Sequence, residues 1–505
     1  MSHFWTAFES LAKRCGDATA LRDDHEKISY FDLYQISIDI SEKMSEHINF
    51  DGNRRVGLLL ENSIEAIAIM LACYRSNLTY VPLSTQDSQE NLEILFEKAD
   101  LDILFLNKNK ANQLTNLGGR ALGVVSFVSG QLNLSFEKAV RIKVSKKVDQ
   151  DVPLYILFTS GSTGIPKGIA IGKNQLTAFL QGIEQVVQIK PTDVLVNHTR
   201  LIFDLSVFDI YLTLSKGACL TLIKKKLDLI FPVDFISKNK ATIILLVPSI
   251  TTFVKKAVDI ENPGLNSLRY LLFCGEGLHS EQVLFWKSIC PNAILINLYG
   301  PTETTVAVSS KVIGQVTAGI QSIGKPFGNN ELRVVCKKTG KFIVEAGLSG
   351  ELIIYGPQVS EFGYVSDNVQ GKFFSDSRTG TRCFKTGDQV RLDENLDFIW
   401  MGRFDNQVKI LGHRVELEEI ESLFKKTALV DECVLLKKDN ALVLAYEASS
   451  RLPTSSLNTE LAEFANRNLK SYQIPHSLHR FETLPRTASG KIDRKSISKS
   501  LLADL

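Results

Sequence analysis

The sequence predicts an α/β protein. A large N-terminal domain of stacked, mostly parallel β-sheets with helices carries a small β-barrel-like subdomain, and a small α+β C-terminal domain follows. Three observations predict this. Apolar runs of strand length alternate with longer helical stretches through the first half of the chain. From about Glu331 the texture changes to short strands with turn signals, as in a small antiparallel sheet or barrel. After Asp405 a second compact alternation of strand and helix begins. We therefore expect a core domain over 1–404 and a mobile domain over 405–505. With 505 residues, 44% of them hydrophobic, the chain can fill more than one core.

The elements follow in order. MSHFWTAFESLAKR has a helical period and lacks the apolar core and small-residue cleavage site of a signal peptide. Val56–Leu60 reads as a buried strand, a helix follows from about Ser63, and Thr79–Leu83 is again a strand. Leu101–Leu106, Leu154–Phe158 and Ile243–Val247 are further strands, and the polar stretch Asn107–Gly119 reads as a loop. ELRVVC, SGELIIYG and LDFIWMG form the β-rich part. Beyond Asp405 come VKIL, a helix from about Glu416, strands ECVLLK and ALVLAY, and a helix from about Leu457.

Composition excludes several functions. The net charge is +2, from 58 basic and 56 acidic residues, which argues against nucleic-acid or membrane-surface binding. The eight cysteines form no C-x-x-C pair and suit a reducing compartment. No His/Cys spacing fits zinc. The strongest apolar run, Ala66–Tyr74, falls far short of the roughly 20 residues that span a bilayer. We expect a cytoplasmic protein with no nucleic-acid or membrane partner.

Between two apolar strands stands Thr159-Ser160-Gly161-Ser162-Thr163-Gly164, followed by Pro166, Lys167 and Gly168. Glycines let backbone N–H groups face an anion, hydroxyls add donors and lysine adds charge, a recipe for binding triphosphate oxygens. It is not a Walker A loop, because Gly161 plus five is Pro166. A flexible Ser/Gly connector is the competing reading. The flanking strands and the embedded Pro and Lys favour an ordered loop.

TSGSTGIPKG resembles the signature of the adenylate-forming superfamily, which includes acyl-CoA synthetases, luciferases and amino-acid adenylation domains. YGPTETT, SGELIIYG, FKTGD, GRFDNQVKILGHRVELEEIE, YQIP and SGKIDRK follow in that family's order over nearly the whole chain. Asn77-Leu78, Ser84, Ser489 and Leu411 depart from its pattern. Leu411 replaces a basic residue, which bears on carrier docking.

The resemblance implies roles. Attack of a carboxylate on the α-phosphorus of ATP needs positioning and electrostatic stabilisation. Lys491, otherwise readable as a solvated tail lysine, corresponds to the lysine that reaches the α-phosphate. Glu303 corresponds to the Mg²⁺ ligand, Thr302 to a donor on the α-phosphate, and Thr163 to one on the β- and γ-phosphates. Tyr299 corresponds to the face on which adenine stacks, Asn297 to the partner of its amino edge, and Gly275, Glu276 and Gly277 to the opposite wall; Gly300 lies in the same motif. Asp388 corresponds to the acceptor for the ribose hydroxyls, Arg403 also approaches the ribose, and Asp405 is the hinge on which the small domain swings.

Asp204, in FDLS, resembles the aspartate that pairs with the substrate ammonium in amino-acid adenylation domains. A helix N-cap is its bland alternative. The family's pocket positions fall on Asp204, Leu205, Phe208, Leu245, Leu272, Cys274, Leu298, Val306, Ala307 and Lys491. Between its charged ends this lining is apolar and bulky, so a polar substrate side chain would go unpaired. The expected substrate is a small apolar amino acid such as alanine or proline. FDLSV, FCGE and YGPTETTVAV resemble D-alanine–carrier protein ligases, and FDLSVFDIY with NH upstream resembles stand-alone prolyl-adenylating enzymes. The chain ends soon after SGKIDRK, so the expected thiol acceptor is a separate phosphopantetheinylated carrier protein. An acyl-CoA synthetase using free coenzyme A and a non-catalytic scaffold are the alternatives.

Overall fold

The computed structural model describes residues 3–47, 54–113, 121–128, 131–137, 152–159, 166–258, 263–365, 371–405, 407–427, 429–438, 440–448, 452–486 and 492–503. Two compact units divide the chain, a larger one built from residues 1–158 and 168–402 and a smaller one built mainly from residues 403–505.

The larger unit holds three sheets among the described residues. One runs in the order Lys325–Pro326, Ser309–Val312, Ile294–Tyr299, Tyr270–Phe273, Ile243–Leu246, Val194–Asn197, Cys219–Leu222, Thr19–Arg22, Lys27–Ser29. Its middle strands are parallel, and its edges are antiparallel. Ile243–Leu246 is buried at every position, as befits a strand covered on both faces. The second sheet runs Gly363–Tyr364, Lys167–Ile171, Tyr155–Thr159, Thr79–Pro82, Arg55–Leu59, Ile103–Leu106, Ala121–Val128, Gln131–Glu137.

Helix Ile64–Arg75 starts at Ser63, whose hydroxyl accepts the Ala66 N–H at 3.3 Å. Nearly every side chain on it is buried, so it is apolar all round rather than amphipathic. It shares one core with Val56 and Tyr80 of the second sheet and Leu195 and Leu220 of the first. The β-rich part, Glu331–Val335, Phe342–Ile343, Ser349–Tyr355, Phe373–Ser375, Arg382–Leu392 and Phe398–Arg403, is an open six-stranded sheet rather than a closed barrel. The expected loop at Asn107–Gly119 contains a short helix, Lys108–Gln113, started by Asn107, whose Oδ1 accepts the Lys110 N–H at 2.9 Å. Positions 114–119 lie outside the described residues.

The smaller unit opens on the hairpin Gln407–Ile410/His413–Glu416, then helix Leu417–Lys426. Strands Glu432–Lys438 and Ala441–Glu447 pair antiparallel, and Ser477–Phe481 joins them in parallel. Helices Thr454–Asn468 and Arg494–Ala503 complete it. Among the described residues no helix is long and apolar enough to cross a membrane.

Candidate active site

The carboxyl ends of parallel strands are where α/β sheets bind ligands. In the first sheet, Leu245 lies beside Leu272 and Phe273 beside Asn297, so Cys274–Gly277 and, after Leu298 and Tyr299 end their strand, Gly300–Ala307 leave the sheet at neighbouring strands. Leu205, Phe208, Leu245, Leu272, Cys274, Leu298, Val306 and Ala307 all lie buried in one apolar core. Asp204 occupies the N-cap position of the short turn Leu205–Val207, yet its side chain makes no capping bond. It is partly exposed, at the edge of that core. Burial, and next the negative charge of Asp204, pushes the Tyr155 hydroxyl well above its ordinary pKa. That hydroxyl is buried with no hydrogen-bond partner, a polar atom in surroundings expected to be apolar.

The nucleotide candidates form a second group. The Tyr299 hydroxyl donates to Asp388 Oδ2 at 2.5 Å, and the Trp400 indole donates to Asp388 Oδ1 at 3.3 Å. Both oxygens of the expected ribose acceptor thus already hold a protein donor. Asn297 donates its Nδ2 to the Ser322 carbonyl at 2.9 Å, while its buried Oδ1 has no partner. An acceptor left this way suits an amino group such as that of adenine. Glu276 accepts the Ser249 N–H at 2.9 Å. Gly275 adopts φ +99°, and a Cβ on Gly277 would meet the Trp400 ring.

Thr302–Thr304 form one 3₁₀ turn. Glu303 is fully buried, and its Oε1 accepts the Tyr364 hydroxyl at 2.6 Å. Thr305 and Val306 both take left-handed φ, +62° and +67°, which β-branched residues rarely adopt. A Cβ on Gly300 would lie 2.5 Å from the Ala307 backbone, so only glycine allows the chain to double back here. Among the described residues no group of three or more His, Cys, Asp or Glu is placed to hold a metal. One carboxylate fits an ion carried mainly by ligand phosphates.

Arg403 Nε and Nη2 bind the Asp405 carboxylate at 2.6 and 2.7 Å, so the expected ribose arginine and the expected hinge residue pair with each other. Thr159 closes strand Tyr155–Thr159, and Lys167 opens strand Lys167–Ile171. Ser160, Gly161, Ser162, Thr163, Gly164 and Lys491 lie outside the described residues.

A family model described as AMP-binding enzyme matches residues 8–364. The chain belongs to the AMP-binding enzymes, in the adenylate-forming superfamily. A D-alanine–D-alanyl carrier protein ligase of Staphylococcus epidermidis is 29% identical over 500 residues, covering 96% of each chain. One from Bacillus cytotoxicus is 34% identical over 374 residues, 70% of this chain and 72% of that one. The crystal structure of the Vibrio cholerae adenylation domain AlmE with glycyl-adenosine-5'-phosphate shares the fold, with a TM-score of 0.83 at 24% identity over 100% of this chain and 98% of that one.

Sequence reasoning on this AMP-binding enzyme missed four features. Trp400 was read only as part of a strand, yet it holds Asp388. Gln358, fully buried, braces the Thr304–Ala307 backbone. Tyr155 adds the unpartnered hydroxyl. Asp209, inside the π-helical turn Phe208–Leu212, accepts from Asn197 Nδ2 at 3.0 Å, and Asn197 Oδ1 accepts from Asn62 at 2.5 Å. Burial raises Asp209 well above the usual carboxylate range. The only sequence signal for these was a polar residue alone among apolar ones, as with Gln358 after LIIYGP.

Proposed function

We propose that this AMP-forming ligase activates a small apolar amino acid, such as alanine or proline, and loads it onto a separate carrier protein in the cytoplasm. The observation that carries the reading is that the eight uncharged pocket candidates all lie buried within one larger apolar core, with Asp204 directly before Leu205 of that core. A small apolar side chain enters such a lining without stranding a polar group. The Asp204 carboxylate takes the α-ammonium, a charge-assisted contact that a plain fatty acid cannot make. The names of the Staphylococcus and Bacillus relatives support the same substrate class and acceptor.

The chemistry has two steps. A substrate carboxylate oxygen bonds to the α-phosphorus of ATP, the bond to the β-phosphate bridging oxygen breaks, and pyrophosphate leaves. The sulfur of a phosphopantetheine thiol then attacks the acyl carbonyl, the thiol proton departs, and AMP leaves. In the first step Thr302 donates to the α-phosphate, and Lys491 neutralises charge there. Thr159, Ser160, Gly161, Ser162, Thr163, Gly164 and Lys167 cradle the departing phosphates. Glu303 would hold a Mg²⁺ ion, which would supply charge neutralisation on the polyphosphate. Asn297 Oδ1 accepts from the adenine amino group, Tyr299 offers its ring face, and Asp388 orients the ribose. In this reading Asp388 exchanges a bond from Tyr299 or Trp400 for one from the ribose.

Amino-acid-dependent pyrophosphate exchange across small apolar amino acids in both enantiomers tests the proposal. One such substrate should dominate, and a preference for a large polar or aromatic acid would sink the pocket reading. Label should then pass to a phosphopantetheinylated carrier. A labelled coenzyme A ester instead would establish the acyl-CoA synthetase alternative.

A further inference from the structure

We propose that Gln358 is a positioning residue, whose buried amide holds the Thr302–Ala307 turn in its left-handed path and so sets amino-acid and metal affinity together. The inference rests on the adenylation reading above. That turn carries the phosphate and metal candidates Thr302 and Glu303 at one end, and the pocket candidates Val306 and Ala307 at the other. Two successive β-branched residues at positive φ do not hold that shape unaided, and they persist only where the surroundings over-determine them.

Gln358 supplies that constraint. Its Nε2 donates to the carbonyls of Ala307 at 2.8 Å, Thr305 at 3.2 Å and Thr304 at 3.3 Å. The Thr305 hydroxyl returns a bond to the Gln358 carbonyl at 2.8 Å. The amide could be turned over only at a cost, because Asn330 Nδ2 donates to Gln358 Oε1 and is itself held on the Phe327 carbonyl at 3.0 Å. The grip continues along the chain. The Ser360 N–H donates to the Glu303 carbonyl at 3.0 Å, and the Tyr364 hydroxyl holds the Glu303 side chain. The segment from Gln358 to Tyr364 thus clasps the turn along its length, and Gln358 bonds the strained part of it. Carbonyls aimed at one buried amide group cannot find water if that group is removed.

The test compares wild type with Gln358→Glu, Gln358→Ala and Asn330→Asp. The first keeps the shape but puts acceptor oxygens against acceptor carbonyls. The second removes the side chain. The third removes the donor that orients the amide, and it remains available if the first two fail to fold. Steady-state pyrophosphate exchange should show the amino-acid KM and the Mg²⁺ concentration for half-activity rising together, about tenfold or more for both Gln358 variants and less for Asn330→Asp. Deuterium exchange at the amides of residues 304–308 should quicken by more than any shift in the global unfolding midpoint accounts for. A merely structural role predicts a smaller active fraction with KM and Mg²⁺ dependence unchanged, and that result overturns the proposal. If wild type shows no amino-acid-dependent exchange, the functional reading fails, and the deuterium arm alone decides the role of Gln358.

Discussion

At the scale of single residues, Asp209 and His198 show what burial does to charge. Asp209 ends a chain of buried amides through Asn197 to Asn62, and burial pushes its carboxyl well above the usual carboxylate range. Asp209→Asn keeps an acceptor for Asn197 and should cost little. Asp209→Leu removes that acceptor, leaving Asn197 Nδ2 the longer bond to the Thr199 carbonyl at 3.3 Å, and should cost about 1–3 kcal/mol in urea unfolding. His198 is buried with Nε2 against the Leu229 carbonyl at 2.8 Å, and burial lowers its pKa from 6.5 to about 4. Between those values the unfolded chain binds more protons than the folded one, so stability rises with pH and is lost as pH falls through that window. The loss should approach roughly 3 kcal/mol, and His198→Gln should flatten that part of a urea-midpoint series. Neither role was legible in the sequence. Asn62 and Asp209 lie far apart in the chain, and nothing in FDIY says which distant amide it meets.

Elements were read best where one period dominates. Val56–Leu60 and Ile243–Val247 were legible because strands covered on both faces are short unbroken apolar runs. Lys108–Gln113, within the stretch expected to be a loop, was misread because a capping Asn outweighs a polar composition over one short helix. The turn at 302–307 was invisible, since TTVAV has the composition of a strand, yet Thr305 and Val306 take left-handed φ where Gln358 bonds the Thr305 and Ala307 carbonyls. In the smaller unit the hairpin turn puts Leu411 at φ +50°, next to Gly412 at φ +79°. Leu411→Gly should relieve that strain and raise stability by about 1 kcal/mol, read as a higher unfolding midpoint. In the same unit Glu421 Oε2 accepts from Arg494 at 2.7 Å and its Oε1 accepts the Leu435 N–H at 2.6 Å. Burial outweighs these bonds and leaves the carboxyl pKa raised. Arg494→Ala should therefore cost roughly 2–3 kcal/mol, a partly exposed guanidinium being worth less than a fully buried one.

Over the whole molecule, the motifs fixed the family because they are many, ordered and spread over the chain, and the match over residues 8–364 agrees. The two sheets were legible as mostly parallel, but their order was not, because strand neighbours are chosen by packing between distant segments. The β-rich part read as barrel-like forms an open sheet, since strand count and turn signals do not say whether edges meet. That the pocket candidates are apolar side chains was legible, but the unpartnered Tyr155 hydroxyl was not, because its isolation depends on what surrounds it in three dimensions. Asp204 is the residue proposed to make this enzyme an activator of amino acids. Pyrophosphate exchange with the preferred amino acid and with its des-amino acid, in wild type and in Asp204→Ala, tests it most directly. Wild type should favour the amino acid by about a hundredfold, as loss of a charge-assisted contact implies, and the variant should lose most of that preference. Equal use of both acids by wild type, or an undiminished preference in Asp204→Ala, would contradict the account.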